Sequence, residues 1–242
     1  MKRYLLVGIL VLLAVVIYAA PASLLKQPLA AAGDLRVSQL QGTLWNGSGA
    51  VNVQNIALGT LRWQFAPARL LKAQAAFDYT LQGDHINLTG SAGRSFGPWL
   101  LEADGNVGSA LVNQYLATYE IRMDGDLHLN TLALQASGHP VEQLSGSVDW
   151  PGGLVSYPVP GGQASRTLPP LRADLSLDAD NSEPLANVHS ESVNFPLISL
   201  RVLNSGFVKI SLTRRFTQIV GMPWPGSEPD HAFVLEVEEQ VF

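Results

Sequence analysis

The chain has 242 residues, a formal net charge of −5 and no cysteine, and only 14% of its residues are charged. The lack of cysteine excludes disulfides, thiolate zinc sites and cysteine nucleophiles. Nucleic-acid binding needs a concentrated basic patch, and the densest basic cluster here is only Lys209, Arg214 and Arg215. Composition therefore argues against a nucleic-acid-binding protein, and the length allows one large domain or two small ones.

The first element is an uninterrupted apolar run of 17 residues, 4–20, preceded by Lys2 and Arg3. Its length reaches the roughly 17 residues that a membrane-spanning helix needs, and the basic residues favour a cytoplasmic N-terminus. The alternative is a signal peptide cleaved near Ala20-Pro21-Ala22, which leaves the body in the same compartment. The predicted organisation is a transmembrane anchor at 1–22, a linker at 23–34 and a β-rich body at 35–242.

The body is marked by apolar and polar residues in alternation. Leu61, Trp63 and Phe65, for example, are separated by Arg62 and Gln64. The same period of two recurs at 77–81, 86–88, 127–129, 171–177, 208–212 and 233–237. Such a period places the apolar side chains on one face of each strand. The sequence therefore predicts a mainly β fold, a curved antiparallel sheet with one apolar face and one or two short helices.

Glycine and proline predict where the strands end. Gly83-Asp84 predicts the turn of a hairpin, and Pro67 predicts the first turn of a short helix at 67–73. The segments 109–119 and 213–220 suit either helix or strand, and the Gly- and Pro-rich segment 150–170 is predicted to be a connection without strands. Glycine favours chain reversal at three further places, Asp104-Gly105, Asp124-Gly125 and Ser205-Gly206.

An internal repeat indicates two related halves, 35–140 and 141–242. The segment that begins at Val37 aligns with the one that begins at Val141, with valine, glutamine, leucine and glycine at the same four positions. A tryptophan and glycines follow in each copy, at Trp45 and at Trp150. We interpret this as a duplication, and chance similarity between two glycine-bounded strands is the alternative.

No segment carries a recognisable catalytic, cofactor or metal motif. The five histidines, at 85, 128, 139, 189 and 231, show no close ligand spacing. Asp178, Asp180 and Asn181 match part of a calcium loop whose required glycine and distal glutamate are missing. We therefore predict no enzyme activity, no cofactor and no metal, and we expect His128 to be a solvated residue on the polar side of a strand.

One ordered set of motifs carries a family resemblance. Gly42-Thr43-Leu44-Trp45-Asn46-Gly47 is followed by the strand Leu61-Arg62-Trp63, by Pro67-Ala68-Arg69-Leu70-Leu71 and by Gly221-Met222-Pro223-Trp224. This order resembles the type II secretion system protein N family, also called general secretion pathway protein N. The resemblance covers nearly the whole chain, including the apolar run at its start.

The resemblance implies a single-pass inner-membrane protein of Gram-negative bacteria whose body lies in the periplasm. It also implies an accessory part in exporting folded proteins, and a sheet similar to the half-closed β-groove of AsmA-like proteins. The family offers no catalytic residues to transfer. We interpret the motif residues as structural, with surface contact as the alternative for Trp45 and Trp224. The motif comprises Gly42, Thr43, Leu44, Trp45, Gly47, Leu61, Trp63, Gly221 and Trp224.

Two functions of different classes follow from these observations. The leading hypothesis is a protein that contacts other secretion components, in the inner-membrane platform, the outer-membrane secretin or both, and that contacts the inner membrane through residues 4–20. Exposed strand edges are templates for such contacts. The alternative is a periplasmic lipid- or amphiphile-binding protein with an apolar β-groove. A periplasmic hydrolase has no support beyond scattered carboxylates.

Overall fold

The computed structural model describes residues 19–25, 35–54, 56–137 and 141–240. The chain forms two compact units, unit 1 at residues 1–93 and unit 2 at 94–242. Both units consist mainly of antiparallel strands with few short helices, which confirms the mainly β prediction. Most of the predicted anchor (1–22) and linker (23–34) lies outside the described residues. Across the described ranges, no helix has the length and hydropathy that crossing a bilayer requires.

Unit 1 is a sheet of five strands that lie side by side in chain order. Its strands are β1 (Leu35–Gly42), β2 (Asn46–Val53), β3 (Ile56–Phe65), β4 (Ala75–Gly83) and β5 (Ile86–Arg94). The predicted hairpin is confirmed as β4 and β5, and the predicted short helix is a 3-10 helix at Pro67–Lys72 with proline in its first turn. Alternate apolar side chains form the core of the unit, with Val51, Trp63, Ala76 and Ile86 buried.

Unit 2 contains a large antiparallel sheet and a smaller one. The strands of the large sheet, in spatial order, are β6 (Trp99–Val107), β8 (Leu127–Ala136), β9 (Val141–Trp150), β12 (Leu171–Leu177), β13 (Pro184–His189), β14 (Ile198–Val202), β15 (Phe207–Thr213) and β16 (Phe233–Gln240). The small sheet has the order β11 (Gly162–Leu168), β10 (Gly153–Val159) and β7 (Arg122–Met123).

The two segments that suited either helix or strand are helical in unit 2. Helix α1 (Ser109–Leu116) continues into a 3-10 turn at Ala117–Tyr119, and helix α2 (Arg214–Ile219) follows β15 directly. The amide of Asn113 on α1 donates to the Met123 carbonyl and its oxygen accepts the Met123 N–H, both at 2.9 Å. This pair of bonds fastens α1 to the small sheet.

The prediction that 150–170 contains no strand is wrong. The segment forms the β10–β11 hairpin, in which Val159 pairs with Gly162 around a two-residue Pro160-Gly161 turn. Gly161 has a φ of 97°, the conformation that a type II turn requires after proline. The glycine and proline content of this segment therefore marks a tight turn and strand ends, not a long loop.

The reversal predicted at Asp104-Gly105 is also wrong. Both residues lie inside β6, where the register with β8 shifts between Ala103 and Gly105. The Asp104 carboxylate accepts the N–H of Thr131 on the neighbouring strand at 3.0 Å. Gly105, with a φ of 136°, therefore forms a β-bulge, for which glycine is as suitable as for a turn. Ser205-Gly206 does connect β14 to β15, as predicted, and Asp124-Gly125 lies where the chain passes from β7 to β8.

The two tryptophans of the aligned repeat segments occupy different positions. Trp45 lies in the β1–β2 turn and is partly exposed, whereas Trp150 ends β9 and is buried. The Trp150 indole N–H donates to the Asp124 carbonyl at 2.8 Å. The duplication of halves 35–140 and 141–242 stays a prediction.

Candidate interaction surface

The last strand of unit 2, β16, forms an edge of the large sheet. Among the strands of the described residues, it pairs with β15 alone. Phe233, Leu235 and Val237 are 45%, 42% and 48% exposed. An edge strand presents a row of N–H and C=O groups to any strand that approaches. An approaching strand could therefore contact both the backbone groups and the apolar side chains of β16.

The segment before β16 fixes where the strand begins. Thr213 ends β15 and caps α2, because its hydroxyl oxygen accepts the Phe216 N–H at 3.3 Å. The same hydroxyl donates to the Leu197 carbonyl at 3.0 Å. The N–H of Arg214 and that of Arg215 then donate to the carbonyls of Ala232 and Asp230 at 2.9 and 3.0 Å. The returning chain is therefore bound to the start of α2, which sets the register of β16.

The polar side chains of β16 are acidic. Glu236 lies 2.8 Å from the Lys209 ammonium and accepts the Ser211 hydroxyl at 3.2 Å. The hydrogen bond from Lys209 is the main reason that the pKa of Glu236 is held below its ordinary value of 4.5. Glu238 stands opposite Lys209 in the register, and it has no salt-bridge partner in the part of the chain that the structure describes. Lys209 thus pairs with Glu236 and leaves the Glu238 carboxylate unneutralised, so the edge keeps net negative charge.

The C-terminal part of β16 contacts the segment that follows α1. The hydroxyl of Tyr119 donates to Glu239 Oε1 at 3.1 Å. This hydrogen bond, and then the carboxylate charge, raises the pKa of Tyr119 above its ordinary value of 10.0. The contact joins this part of the strand to the segment that follows α1.

One face of the large sheet is apolar over seven neighbouring strands. Residues opposite each other in an antiparallel register share a face. The row comprises Leu129, Val148, Ala173, Val188, Ile198, Leu212 and Leu235. Only Val188 of this row is buried, so the other six side chains keep part of their surface accessible. The large sheet therefore has an apolar face that the described residues cover only in part.

The opposite face is polar and holds an ion-pair network. Arg172 lies 3.4 Å from Asp149 and 3.1 Å from Asp174, and it donates to the Ser147 hydroxyl at 2.8 Å. A cleft of about 450 Å³ lies beside this network. Its lining includes Asp149, Arg172, His128 and His189. His128 is exposed on this face, as predicted. Arg172 neutralises the two carboxylates, and the Ser147 hydroxyl accepts a hydrogen bond from it. A serine nucleophile would instead donate its proton to a base, so we interpret these residues as a structural ion-pair network.

The motif residues of unit 1 meet at one end of its sheet. Gly42, with a φ of 83°, closes the β1–β2 connection opposite Gly47. Thr43 bonds to Asn46 across this turn, its N–H donating to the carbonyl at 2.8 Å. The Trp63 indole N–H donates to the Leu44 carbonyl at 3.1 Å. The turn is thus held by backbone bonds and by one buried tryptophan.

The other two motif positions of unit 1 are Trp45 in the turn and Leu61 within β3. Trp45 packs edge-on against Phe65 and stacks with Phe77, at centroid distances of 5.2 and 6.5 Å. Leu61 lies between Gly49 on β2 and Leu81 on β4 in the register. Aromatic contacts of this geometry add to the stabilisation that burial of the rings already gives.

Gly221 and Trp224 lie in unit 2, in the loop after α2. Gly221 has a φ of 76°, and a Cβ there would lie 2.6 Å from Nε of Arg166 on β11. The Trp224 N–H donates to the Thr217 hydroxyl at 3.2 Å, and its ring is partly exposed. The hydroxyl of Tyr157 on β10 donates to the Val220 carbonyl. The loop therefore packs against the small sheet.

The alternation in 233–237 was visible in the sequence, but its position at an edge was not. Pairing partners are set by contacts between distant segments, and no local pattern indicates which strand lacks a second neighbour. The Tyr119–Glu239 bond joins residues 120 positions apart and likewise had no sequence signal.

Comparison with known proteins identifies one protein family. The family model described as type II secretion system (T2SS), protein N matches residues 33–206, which is well over half of the chain. No match was found among curated proteins or among solved structures. Within the described residues, no group of three or more His, Asp or Glu side chains is placed to hold a metal ion.

Proposed function

Because this chain belongs to the type II secretion system protein N family, we propose that it acts through protein–protein contacts as an accessory inner-membrane component of that system. Its role lies in the export of folded proteins across the outer membrane. The apolar run 4–20 after Lys2 and Arg3 supports a single-pass anchor with the N-terminus in the cytoplasm and the body in the periplasm. The proposal assigns no catalysis to the chain.

The observation that carries the contact mechanism is the open edge of β16. Strand addition uses the free backbone groups of an edge for affinity and alternate side chains for specificity. The exposed side chains of Phe233, Leu235 and Val237 supply apolar contacts. A partner strand that lies beside β16 would cover them and complete the backbone hydrogen bonds.

The charge pattern of β16 favours one class of partner. Glu236, Glu238 and Glu239 make the strand acidic, and like charges directly opposite each other on paired strands are destabilising. If two copies of β16 paired around Val237, Glu236 of one copy would face Glu238 of the other. Pairing around Glu236 would place that residue opposite itself. The partner is therefore a strand of another protein that alternates apolar residues with lysine or arginine.

Site-specific crosslinking in cells tests this proposal. The chain has no cysteine, so Leu235→Cys introduces a single thiol on the β16 edge. Leu154→Cys is the matched control, because Leu154 is 46% exposed but lies on β10, which has a neighbour on both sides. We expect secretion components to be crosslinked from position 235 and not from position 154. Recovery of only unrelated proteins, or equal yields from both positions, would count against the proposal.

Lipid or amphiphile binding is the second candidate function. The observation that favours it is the row of apolar side chains on the large sheet, of which six remain partly accessible. Apolar surface of this extent usually marks a binding site. A sheet that curves around acyl chains, like the AsmA-like groove, would use this face.

Bound lipid can be measured on the purified chain by mass spectrometry. Ile198→Gln places a polar amide in the apolar row, and Ser199→Ala changes the adjacent residue on the polar face. If lipid binds to the apolar row, the amount of lipid that copurifies should fall for Ile198→Gln and should stay unchanged for Ser199→Ala. Identical lipid content in both variants and in the parent chain would reject this function, because the anchor alone would then account for the lipid.

A further inference from the structure

Residues 20–22 are bound to one end of the unit 1 sheet. The Leu44 N–H donates to the Ala20 carbonyl at 2.8 Å, and Pro21 forms a β-bridge with Thr43. Ala22 is only 1% exposed. The apolar run 4–20 ends at Ala20, so the turn at Thr43 and Leu44 is in contact with the residue where that run stops.

The connection between β3 and β4 lies at this same end. β1 and β3 run in the same direction, since each is antiparallel to β2. The Phe65 N–H, at the end of β3, donates to the Trp45 carbonyl in the β1–β2 turn at 2.6 Å. The end of β3, from which the β3–β4 connection leaves, is therefore in direct contact with the β1–β2 turn.

The β3–β4 connection carries apolar side chains in solvent between two basic residues. Leu71 is 92% exposed and Leu70 52% exposed, and Leu24, at the same end of the sheet, is 61% exposed. Arg69 and Lys72 flank the two leucines. The segment 66–74 itself contains no acidic residue. The Arg69 guanidinium lies 3.7 Å from the exposed carboxylate of Asp78 on β4, so Arg69 would meet a headgroup beside this ion pair. Exposed leucines beside cations are the combination that favours the boundary between acyl chains and anionic headgroups.

We propose that this end of unit 1 is a second membrane-contact surface, in which Leu24, Leu70 and Leu71 enter the periplasmic side of the anionic bilayer and Arg69 and Lys72 meet its headgroups. The inference rests on the anchor proposed above. A helix of 17 residues measures about 25 Å, whereas the hydrocarbon core is about 30 Å thick. A short span draws its flanking residues towards the interface. Ala20, and with it the Thr43–Leu44 turn, is therefore held at the membrane surface.

The opposite end of the same sheet has different chemistry. The β4–β5 turn consists of Asp84 and His85, both exposed, and β4 runs away from the leucine-bearing end. Its acidic side chain is unsuited to an anionic surface. The two ends of unit 1 therefore provide a test position and a matched control within one sheet.

Labelling of single cysteines in the full chain tests the inference. Leu71→Cys and Leu24→Cys place a spin label at the proposed surface, Asp84→Cys places one at the opposite end, and Val11→Cys reports insertion of the anchor. Each protein is reconstituted in vesicles of phosphatidylglycerol and phosphatidylcholine, and the accessibility of the label to a water-soluble and to a lipid-soluble relaxing agent is compared. We expect the labels at 71 and 24 to be several-fold more accessible to the lipid-soluble agent than the label at 84.

Labels at 71 and 24 that are as accessible to the water-soluble agent as the label at 84 would overturn the inference. The label at 11 then separates the causes. If the label at 11 is in lipid, the proposed anchor is supported and only the contact surface is contradicted. If the label at 11 is in water, the proposed anchor is contradicted as well. Replacing phosphatidylglycerol with phosphatidylcholine should reduce the lipid contact of the label at 71, because Arg69 and Lys72 lose their anionic partners. Unchanged contact would refute the headgroup part of the proposal.

Discussion

Gly47 on β2 lies directly beneath the ring of Trp63 on β3: a Cβ at position 47 would be 2.5 Å from Cζ2 of the tryptophan. The two residues are register partners. The close approach lets the Trp63 indole N–H reach the Leu44 carbonyl. Gly47 of the Gly42–Gly47 motif and Trp63 of the Leu61-Arg62-Trp63 strand therefore pack against each other. This contact is a physical reason for the two motifs to occur together.

Gly47→Ala should destabilise unit 1 by about 1–3 kcal/mol, the usual cost of forcing extra volume into a packed site. The tryptophan must move, and its hydrogen bond to Leu44 lengthens or breaks. Chemical denaturation followed by tryptophan fluorescence measures the change. Gly97→Ala is the control, since the nearest atom to a Cβ there is the Ser137 hydroxyl oxygen at 3.9 Å. Equal losses for both variants would contradict the packing argument.

Thr213→Val should destabilise unit 2 by about 1–3 kcal/mol, because it removes both a helix cap and a buried hydrogen bond. Thr213 is 0% exposed. In the valine variant the Leu197 carbonyl keeps the Thr213 N–H but loses the hydroxyl, and the Phe216 N–H loses its cap. Thr213→Ser retains the hydroxyl and should lose less stability than the valine variant. The thermal unfolding midpoint provides the comparison, and a serine variant as unstable as the valine one would show that the methyl group matters more.

The phenol of Tyr119 should titrate above 10.0, because Glu239 accepts its hydrogen bond and disfavours the phenolate. A folded-state pKa above the unfolded value means that the contribution to stability is complete below pH 10.0 and is lost as the pH rises through the folded pKa. Phenolate absorbance of the parent chain minus that of Tyr119→Phe isolates this residue. Glu239→Gln should return the titration towards 10.0, and no change in that variant would exclude the contact as the cause.

The carboxyl of Glu236 should titrate below 4.5, chiefly because of the hydrogen bond from Lys209. Its contribution to stability is therefore present above pH 4.5 and is lost as the pH falls through the folded-state pKa. Carbon-detected NMR titration measures the value directly. Lys209→Gln should raise the pKa towards 4.5. A carboxyl in that variant with the same low pKa would point to Ser211 as the main partner.

Reversing the charge of the edge tests the proposed basic partner. Glu238→Lys should reduce crosslinking from position 235 several-fold, since a basic partner strand would then face a lysine. Glu142→Lys, on β9 within the large sheet, is the charge-matched control and should leave the yield unchanged. The yield from the Leu235→Cys chain that keeps Glu238 should also fall as salt increases. Undiminished crosslinking for Glu238→Lys would exclude charge complementarity at this edge.

Several features of the fold were determined by local sequence. The alternation at 61–65 and 77–88 predicted strands and a hairpin, because a period of two puts apolar side chains on one face whatever the neighbour is. Pro67 fixed the start of a short helix for an equally local reason. The motif around Gly42 and Trp45 indicated the family, and the match over 33–206 agrees with it.

Tertiary structure alone decided the features on which the proposed functions depend. Gly105 became a bulge because Asp104 accepts a bond from Thr131 on another strand, and β16 became an edge because no second strand pairs with it among the described residues. The end of the sheet that carries Leu70 and Leu71 is also the end to which Ala20 is bound, through the Leu44 N–H. Local sequence sets the conformation of a strand and the faces of its side chains. Pairing, register and exposure depend on contacts between residues far apart in the chain, which local sequence does not encode.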